Sequence, residues 1–228
     1  MSLILYDLAA ANSNIRFSPN CWRVKFALAL KGLTAVTVPC RFTEKALIAP
    51  SGQRALPVLV DGDLWVAESW QIALYLEQLR PEQPLFPNGP QPLVFLRHWI
   101  DSTLHPAILR LILLPLYDIL AEEDRAYFRE SREARFGMSL EAASTDWEEG
   151  RAALSTLLEP ARKVLASTAW LGGDTPDFGD CMLAGALRWA EIATQGQPVL
   201  EAADPIALWY ARLLRRAAPT VADEAASD

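Results

Sequence analysis

The chain has 228 residues, of which 51% are hydrophobic and 21% charged, and a formal net charge of −7. That length accommodates one or two domains with a sizeable core, and the composition is globular rather than disordered. The acidic balance argues against a nucleic-acid partner, which needs a basic surface. Three scattered cysteines, Cys21, Cys40 and Cys181, with two histidines, His98 and His105, make neither a disulfide framework nor a zinc site, so no metal is expected.

The N-terminus carries no basic segment followed by an apolar signal core, and the expected setting is reducing and cytoplasmic. Leu3 to Asp7 is a predicted strand, and Ala9 to Phe17 a polar loop. The stretch from Ser18 to Gly32 follows, and the rest of the chain is organised around it. Ser18 suits an N-cap, Pro19 the first helical position, and Gly32 a left-handed C-terminal cap beside Lys31. Cys21, Val24 and Leu28 lie on one side of this helix, and Trp22, Phe26 and Ala29 on another. A helix apolar on two faces is sandwiched, here between a sheet and another domain.

Such a helix mouth has partial positive charge and free N–H donors, and it favours an anion. The spacing Ser18-x-x-Cys21 is that of a redox dithiol with serine in the first place, so it cannot close its own disulfide. Two readings stand side by side. On one, Ser18 only caps its helix with Cys21 as buried filler; on the other, its hydroxyl donates to a thiolate that a ligand brings in.

Ala35 to Cys40 is a short β-branched strand, and Phe42 to Gln53 is polar and irregular. Two apolar runs, Ala55 to Val60 and Asp63 to Ala67, flank Asp61-Gly62 and predict a hairpin, with Pro57 at its start. Ser69 is read as the cap of a helix through Leu79. The order predicts a mixed sheet with helices packed on it. Pro81, Pro84, Pro87, Pro90 and Pro92 mark a linker, which divides the chain into domains at 1–80 and 93–228 joined by 81–92.

Everything after Leu93 reads helical. Leu93 to Leu120 is one long or kinked helix, with Pro106 and Pro115 as kink points. Its most apolar run, Ile108 to Leu120, is broken by Arg110, Pro115 and Asp118 and is too short to span a bilayer, so no membrane is expected. Glu122 to Phe136 is charged and amphipathic, and Leu140 to Ser167 a second long helical stretch. Asp177-Phe178-Gly179-Asp180 reads as a capping box with aspartate in the acidic third place. Pro205 to Ala217 is the last helix, and Ala218 to Asp228 a polar tail.

Taken together, these features resemble the glutathione transferases over nearly the whole chain. Ser18 with Trp22-Arg23-Val24-Lys25 and Ala27 to Gly32 resembles the active-site serine and first helix of the serine-type classes. Leu56-Pro57 resembles the family's cis-proline corner, Glu68-Ser69 its acidic-serine pair, and Asp177 to Asp180 its C-terminal capping box. Within the family, Leu5-Tyr6-Asp7-Leu8, Trp65 to Trp70 and Trp170 to Asp174 resemble the bacterial β-aryl-etherase-like group. The Trp22 to Lys25 run also resembles the zeta class of maleylacetoacetate isomerases. Asn20-Cys21 departs from the aromatic and small apolar pair of the etherase group.

The resemblance implies an α/β plus all-α architecture, a thioredoxin-like N-terminal domain followed by an all-helical bundle, with glutathione as co-substrate. It implies a homodimer and a small hydrophobic electrophile as the second substrate. It assigns the thiol to Ser18, with Asn20 either a second donor or a solvent-facing helix-start residue. Leu56 and the cis Pro57 would offer main chain to the cysteinyl part. Ser69 with its helix mouth would take the γ-glutamyl carboxylate, and Glu68 the ammonium. Lowering the thiol pKa from ~8.5 to ~6.5 is worth about 2.7 kcal/mol. His105 and Tyr117 are candidates for the substrate pocket, with Arg110 and Trp99 behind them. Trp22, Trp65, Trp70, Trp99 and Trp189 read as core. The implied reaction is glutathione transfer, aryl-ether cleavage in its most specific form. The alternatives are a zeta-type isomerase and a binding module without catalysis. A thiol reductase would need cysteine at position 18.

Overall fold

A computed structural model describes residues 3–221. Four strands, β1 (Leu3–Leu8), β2 (Ala35–Cys40), β3 (Val58–Asp61) and β4 (Leu64–Ala67), form one mixed sheet in the order β2-β1-β3-β4. β1 pairs β2 in parallel, with Leu5 beside Thr37, and pairs β3 antiparallel, with Leu5 beside Leu59. The hairpin forms at Asp61-Gly62, where Gly62 takes a φ of 59° that other residues resist.

Helix α1 (Pro19–Leu30) forms as its local chemistry requires. The Ser18 hydroxyl accepts from the Cys21 N–H, and Pro19 occupies the first turn. At the other end Gly32, at φ 61°, donates to Ala29 O while Leu33 donates to Leu28 O, which is a Schellman cap. Lys31 sits at the C-terminal cap of α1, where a cation was expected to favour the negative end of the dipole. It is fully buried, paired with Glu77 and donating to Arg80 O at 2.8 Å, so it ties α1 to the end of α2 (Ser69–Leu79). On the sheet side, Lys25 of α1 meets Asp7 of β1 at 2.5 Å with both groups buried. Neither charge could be left there alone without a cost of several kcal/mol.

The opposite face of α1 packs on α9 (Phe178–Ala193) and α10 (Pro205–Val221), which gives the sandwich that its two apolar sides required. The approach is closest at Gly185. A Cβ there would stand 2.6 Å from Pro19 O and 3.1 Å from the Arg23 backbone nitrogen. α9 starts at the expected capping box. Asp177 accepts from Gly179 N–H at 2.7 Å, and Asp180 accepts from Asp177 N–H at 3.0 Å. Asp180 also takes Leu171 N–H and the Trp209 indole N–H, so one buried carboxylate joins the turn before α9 to α10.

Two expectations are corrected, for Leu140 to Ser167 and for Ser69, and a third is refined. The long helix expected from Leu93 to Leu120 is disturbed just ahead of Pro106, one of its two expected kink points: α3 (Gln91–Trp99) passes through a π-helical turn (Ile100–Leu104) into α4 (His105–Ile119), while Pro115 lies inside α4. Pro106 has no N–H for the carbonyl of Ser102, and the ladder widens just ahead of it, with His105 N–H bonding to Ile100 O. Leu140 to Ser167 is three helices, α6 (Leu140–Ala143), α7 (Trp147–Leu157) and α8 (Glu159–Leu165). Asp146 caps α7 and so interrupts the run. Ser69 is the first residue of α2 rather than its cap; the capping position belongs to Glu68. The charged segment forms α5 (Glu122–Phe136), with acidic residues in its first turn and Gly137 closing it at φ 69°. The last helix continues to Val221, one turn into the expected tail, whose residues from 222 lie outside the described residues.

Candidate active site

The mouth of α1 opens on two adjoining cavities in the cleft between the sheet and the α3–α4 helices. The smaller, about 300 Å³, is lined by Asn20, Arg23, Leu56, Pro57, Glu68 and Ser69 among others. The larger, about 330 Å³, contains Ser18, Phe42, Leu109, Leu116 and Trp189. Asn20, Ala55, Leu56, Asp101 and His105 line both, so a ligand lying in the first could present one end to the second.

Ser18 is buried, and its oxygen accepts from Cys21 N–H at 3.3 Å while its own proton remains available to donate. Cys21 lies behind it, fully buried. Burial and then the charge of Asp7 push its thiol well above the ordinary range, so it remains a thiol and not a nucleophile. The Leu56–Pro57 bond is cis. Among the described residues neither the N–H nor the C=O of Leu56 has a hydrogen-bond partner, which leaves a free donor and acceptor for an extended peptide-like ligand.

Glu68 sits at φ 74°, a region that costs a non-glycine residue about 1–3 kcal/mol. That conformation presents its half-exposed side chain to Arg97 Nη2 at 2.9 Å, with the Arg97 guanidinium over the Trp70 ring. The carboxylate expected to meet an ammonium is therefore shared with Arg97. The Ser69 hydroxyl, at the start of α2 in the smaller cavity, has no hydrogen-bond partner among the described residues.

The π-helical turn brings Asp101 and His105 to the floor between the cavities. Arg23 Nη2 reaches Asp101 at 2.7 Å and His105 Nε2 at 3.4 Å. Burial, and then the Arg23 charge, lower the His105 pKa to about 3, so it is a neutral imidazole at neutral pH. It stands edge-on to Trp189, with ring centroids 5.7 Å apart.

Ser18, Asn20, Leu56, Pro57, Glu68, Ser69 and His105 are thus brought together. Tyr117 is not: its ring packs with Phe128 under Arg125 and Arg129, away from both cavities. Arg110 stacks on Phe136 and donates to Ala143 O, and Trp99 lines neither cavity. Trp189 is buried in the core as expected and also lines the larger cavity. Five cations of the larger cavity, Arg41, Lys45, Arg54, Arg132 and Arg135, had not been singled out. Lys45 and Arg54 flank the irregular stretch before Leu56, a position that offered a signal. Arg132 and Arg135 look like any solvated face of a charged helix.

A thioredoxin-like sheet with a cis-proline corner, a serine at the mouth of its first helix and a helical half closing the cleft defines a glutathione-dependent protein class. Two family models agree: the glutathione S-transferase N-terminal domain matches residues 13–84, and the C-terminal domain matches residues 94–204. The chain belongs to the glutathione S-transferase family.

Glutathione S-transferase Z1 of Arabidopsis thaliana is 39% identical over 73 residues, 29% of this chain and 32% of the relative. The zeta-class glutathione S-transferase of Euphorbia esula is 40% identical over 79 residues, 31% of this chain and 34% of the relative. The chain thus matches about a third of the length of these curated relatives. Glutathione transferase GSTFuA3 of Phanerochaete chrysosporium superposes with a TM-score of 0.81 at 24% identity, over 95% of this chain and 97% of that one. The glutathione complex of CsGST63524 from Ceriporiopsis subvermispora gives 0.79 at 20% identity, over 96% and 98%. At such identity these structures speak for the fold. No described helix is long and apolar enough to cross a membrane.

Proposed function

We propose that this chain is a glutathione transferase. Glutathione lies in the smaller cavity and hands its thiolate, at Ser18, to an electrophile in the larger one. The observation that carries the reading is the shared wall: Ser18 lines the electrophile cavity, while Asn20 and Leu56 line both. The unpaired N–H and C=O of Leu56 fit the cysteinyl backbone. The Ser69 hydroxyl and the first N–H groups of α2 suit the γ-glutamyl carboxylate. Glu68 takes the ammonium alongside Arg97. Arg54, exposed in the lining of the larger cavity and two residues from the shared Leu56, suits the glycyl carboxylate.

The thiol loses its proton to solvent, and the sulfur anion is held by the Ser18 hydroxyl and the positive end of α1. Asn20 is a second donor at the same mouth. In conjugation a C–S bond forms and the leaving group departs with the electron pair, a phenolate in aryl-ether cleavage. In a zeta-type isomerisation the same sulfur adds to a double bond and leaves again, returning glutathione unchanged. The zeta-class relatives favour this second reading. Neutral His105, in contact with both cavities, stays a hydrogen-bonding group rather than a cation in either case. The reading extends to a cytoplasmic homodimer in a setting rich in glutathione.

The test is a calorimetric titration with glutathione. Binding in the micromolar to millimolar range, weakened about tenfold by Ser69→Ala, supports the site, since a buried charge-assisted hydrogen bond contributes about 1.5 kcal/mol. Absence of binding would leave a glutathione-fold module without glutathione chemistry.

A further inference from the structure

We propose that the larger cavity takes an electrophile bearing a carboxylate, which Arg132 and Arg135 of α5 hold. The inference rests on the proposed function for the reaction, and on the cavity's own charge for the substrate class.

Within a chain of net charge −7, the charged residues lining this cavity are Arg41, Lys45, Arg54, Arg132 and Arg135 against Asp101 alone. Asp101 is taken up by Arg23 at 2.7 Å. Three of the cations also have occupations. Arg41 pairs with Glu44 at 3.1 Å and Glu123 at 3.4 Å. Lys45 donates to the Tyr127 hydroxyl at 3.1 Å and lies over its ring. Arg54, two residues before Leu56, is the cation assigned to the glycyl carboxylate of glutathione.

Arg132 and Arg135 are one turn apart on the same helix face. Neither has a carboxylate within ion-pair distance among the described residues. Arg132 is held in place without being neutralised. Its guanidinium lies over Phe128 at 4.8 Å and Phe42 at 5.6 Å, and its Nη1 donates to the neutral Ser131 hydroxyl at 3.0 Å. Its Nε is buried with no acceptor. Burial draws the guanidinium below its ordinary value, partly offset by Tyr127, and neighbouring Arg135 draws it further.

Two like charges lining the same cavity, one held over two aromatic rings, are complementary to an anion that neither glutathione nor the protein supplies there. The planar guanidinium fork fits a carboxylate in two-point contact. Leu109, Leu116 and Trp189 keep the rest of the cavity apolar. The electrophile is thus an acid with a hydrophobic body.

The test compares binding of 3,5-dinitrobenzoate and 3,5-dinitrobenzamide, which are matched in shape and carry no leaving group, by calorimetry at low ionic strength. The benzoate binds wild-type protein about tenfold or more tightly than the amide, as charge-assisted pairing requires. The ratio falls to within about twofold in R132Q/R135Q. R135Q alone, at an exposed position, lowers the ratio without shifting the melting temperature, and R132K, which keeps the charge but not the planar fork, lowers it as well. Equal affinities in the wild type, a preference that survives the double substitution, or no benzoate binding at millimolar concentration overturns the proposal. Glutathione titrated separately binds all variants alike. If it fails to bind wild-type protein, the glutathione reading falls while the acid-to-amide ratio still decides this one.

Discussion

Replacing Gly185 by alanine adds one methyl group at the closest approach between the two halves of the molecule, directly behind the proposed nucleophile. The new Cβ would lie 2.6 Å from Pro19 O, about 0.8 Å short of the 3.4 Å where ordinary contact begins, with the Arg23 backbone nitrogen at 3.1 Å as a second obstacle. Both obstacles include backbone, so no side chain can rotate away from the Pro19 clash. The first turn of α1 must move, and Ser18 is bonded to Pro19. Alanine gains about 1 kcal/mol in helix propensity over glycine, while overpacking costs about 1–3 kcal/mol. The net loss is about 1 kcal/mol, which lowers the melting temperature by about 2–4 °C in a chain of this size.

Function falls much further, because displacing a reacting group by ~1 Å can cost about a hundredfold in rate. Thermal unfolding, read with kcat/KM for 1-chloro-2,4-dinitrobenzene and glutathione, separates the two effects. A G185A variant that melts higher than wild type and keeps its activity would show that the interface yields freely, and the reasoning from close approach would be wrong.

His105 supplies an acid sensitivity. Its pKa of about 3 in the folded protein lies below the ~6.5 of an unfolded chain, so the unfolded state binds the extra proton as pH falls through that window. Its contribution is fully present above pH ~6.5 and declines toward pH ~3, amounting to about 2 kcal/mol lost at pH 5. Chemical denaturation at pH 5 and 7 should show this difference reduced in H105N, and an unchanged pH dependence would contradict the assignment. Asp180→Ala removes the acceptor for Leu171 N–H, Asp177 N–H and the Trp209 indole together. Buried donors without partners cost about 1–3 kcal/mol each, so the loss should reach about 3–5 kcal/mol by urea denaturation. A loss below about 1 kcal/mol would mean that water replaces the carboxylate.

The parts of the fold that could be read beforehand were those whose cause is local. Ser18, Pro19 and Gly32 bound α1 by cap, ring and left-handed turn, all within a few residues, and the Asp61-Gly62 hairpin and the Asp177 box are equally self-contained. What escaped depends on tertiary partners. Lys31 looks like a terminal charge until Glu77 and Arg80 close over it. The break at Asp146 depends on its side chain choosing two backbone donors over a continued helix. The π turn before Pro106 places Asp101 and His105 together, which a regular 3.6-residue period does not suggest. Trp189 is core as read and also forms one wall of a cavity, and Arg132 and Arg135 become cavity residues because α5 folds back over Phe42.

The central claim is that Ser18 holds a glutathione thiolate at the mouth of α1. Its direct test is a pH titration of bound glutathione, followed by thiolate absorbance in the ultraviolet, for wild type and Ser18→Ala. The account predicts a bound-thiol pKa near ~6.5 in the wild type, and a rise of at least about one unit in the variant with glutathione affinity nearly unchanged. A thiol that titrates at its free value of ~8.5 in the wild type, or equally in both proteins, would contradict it.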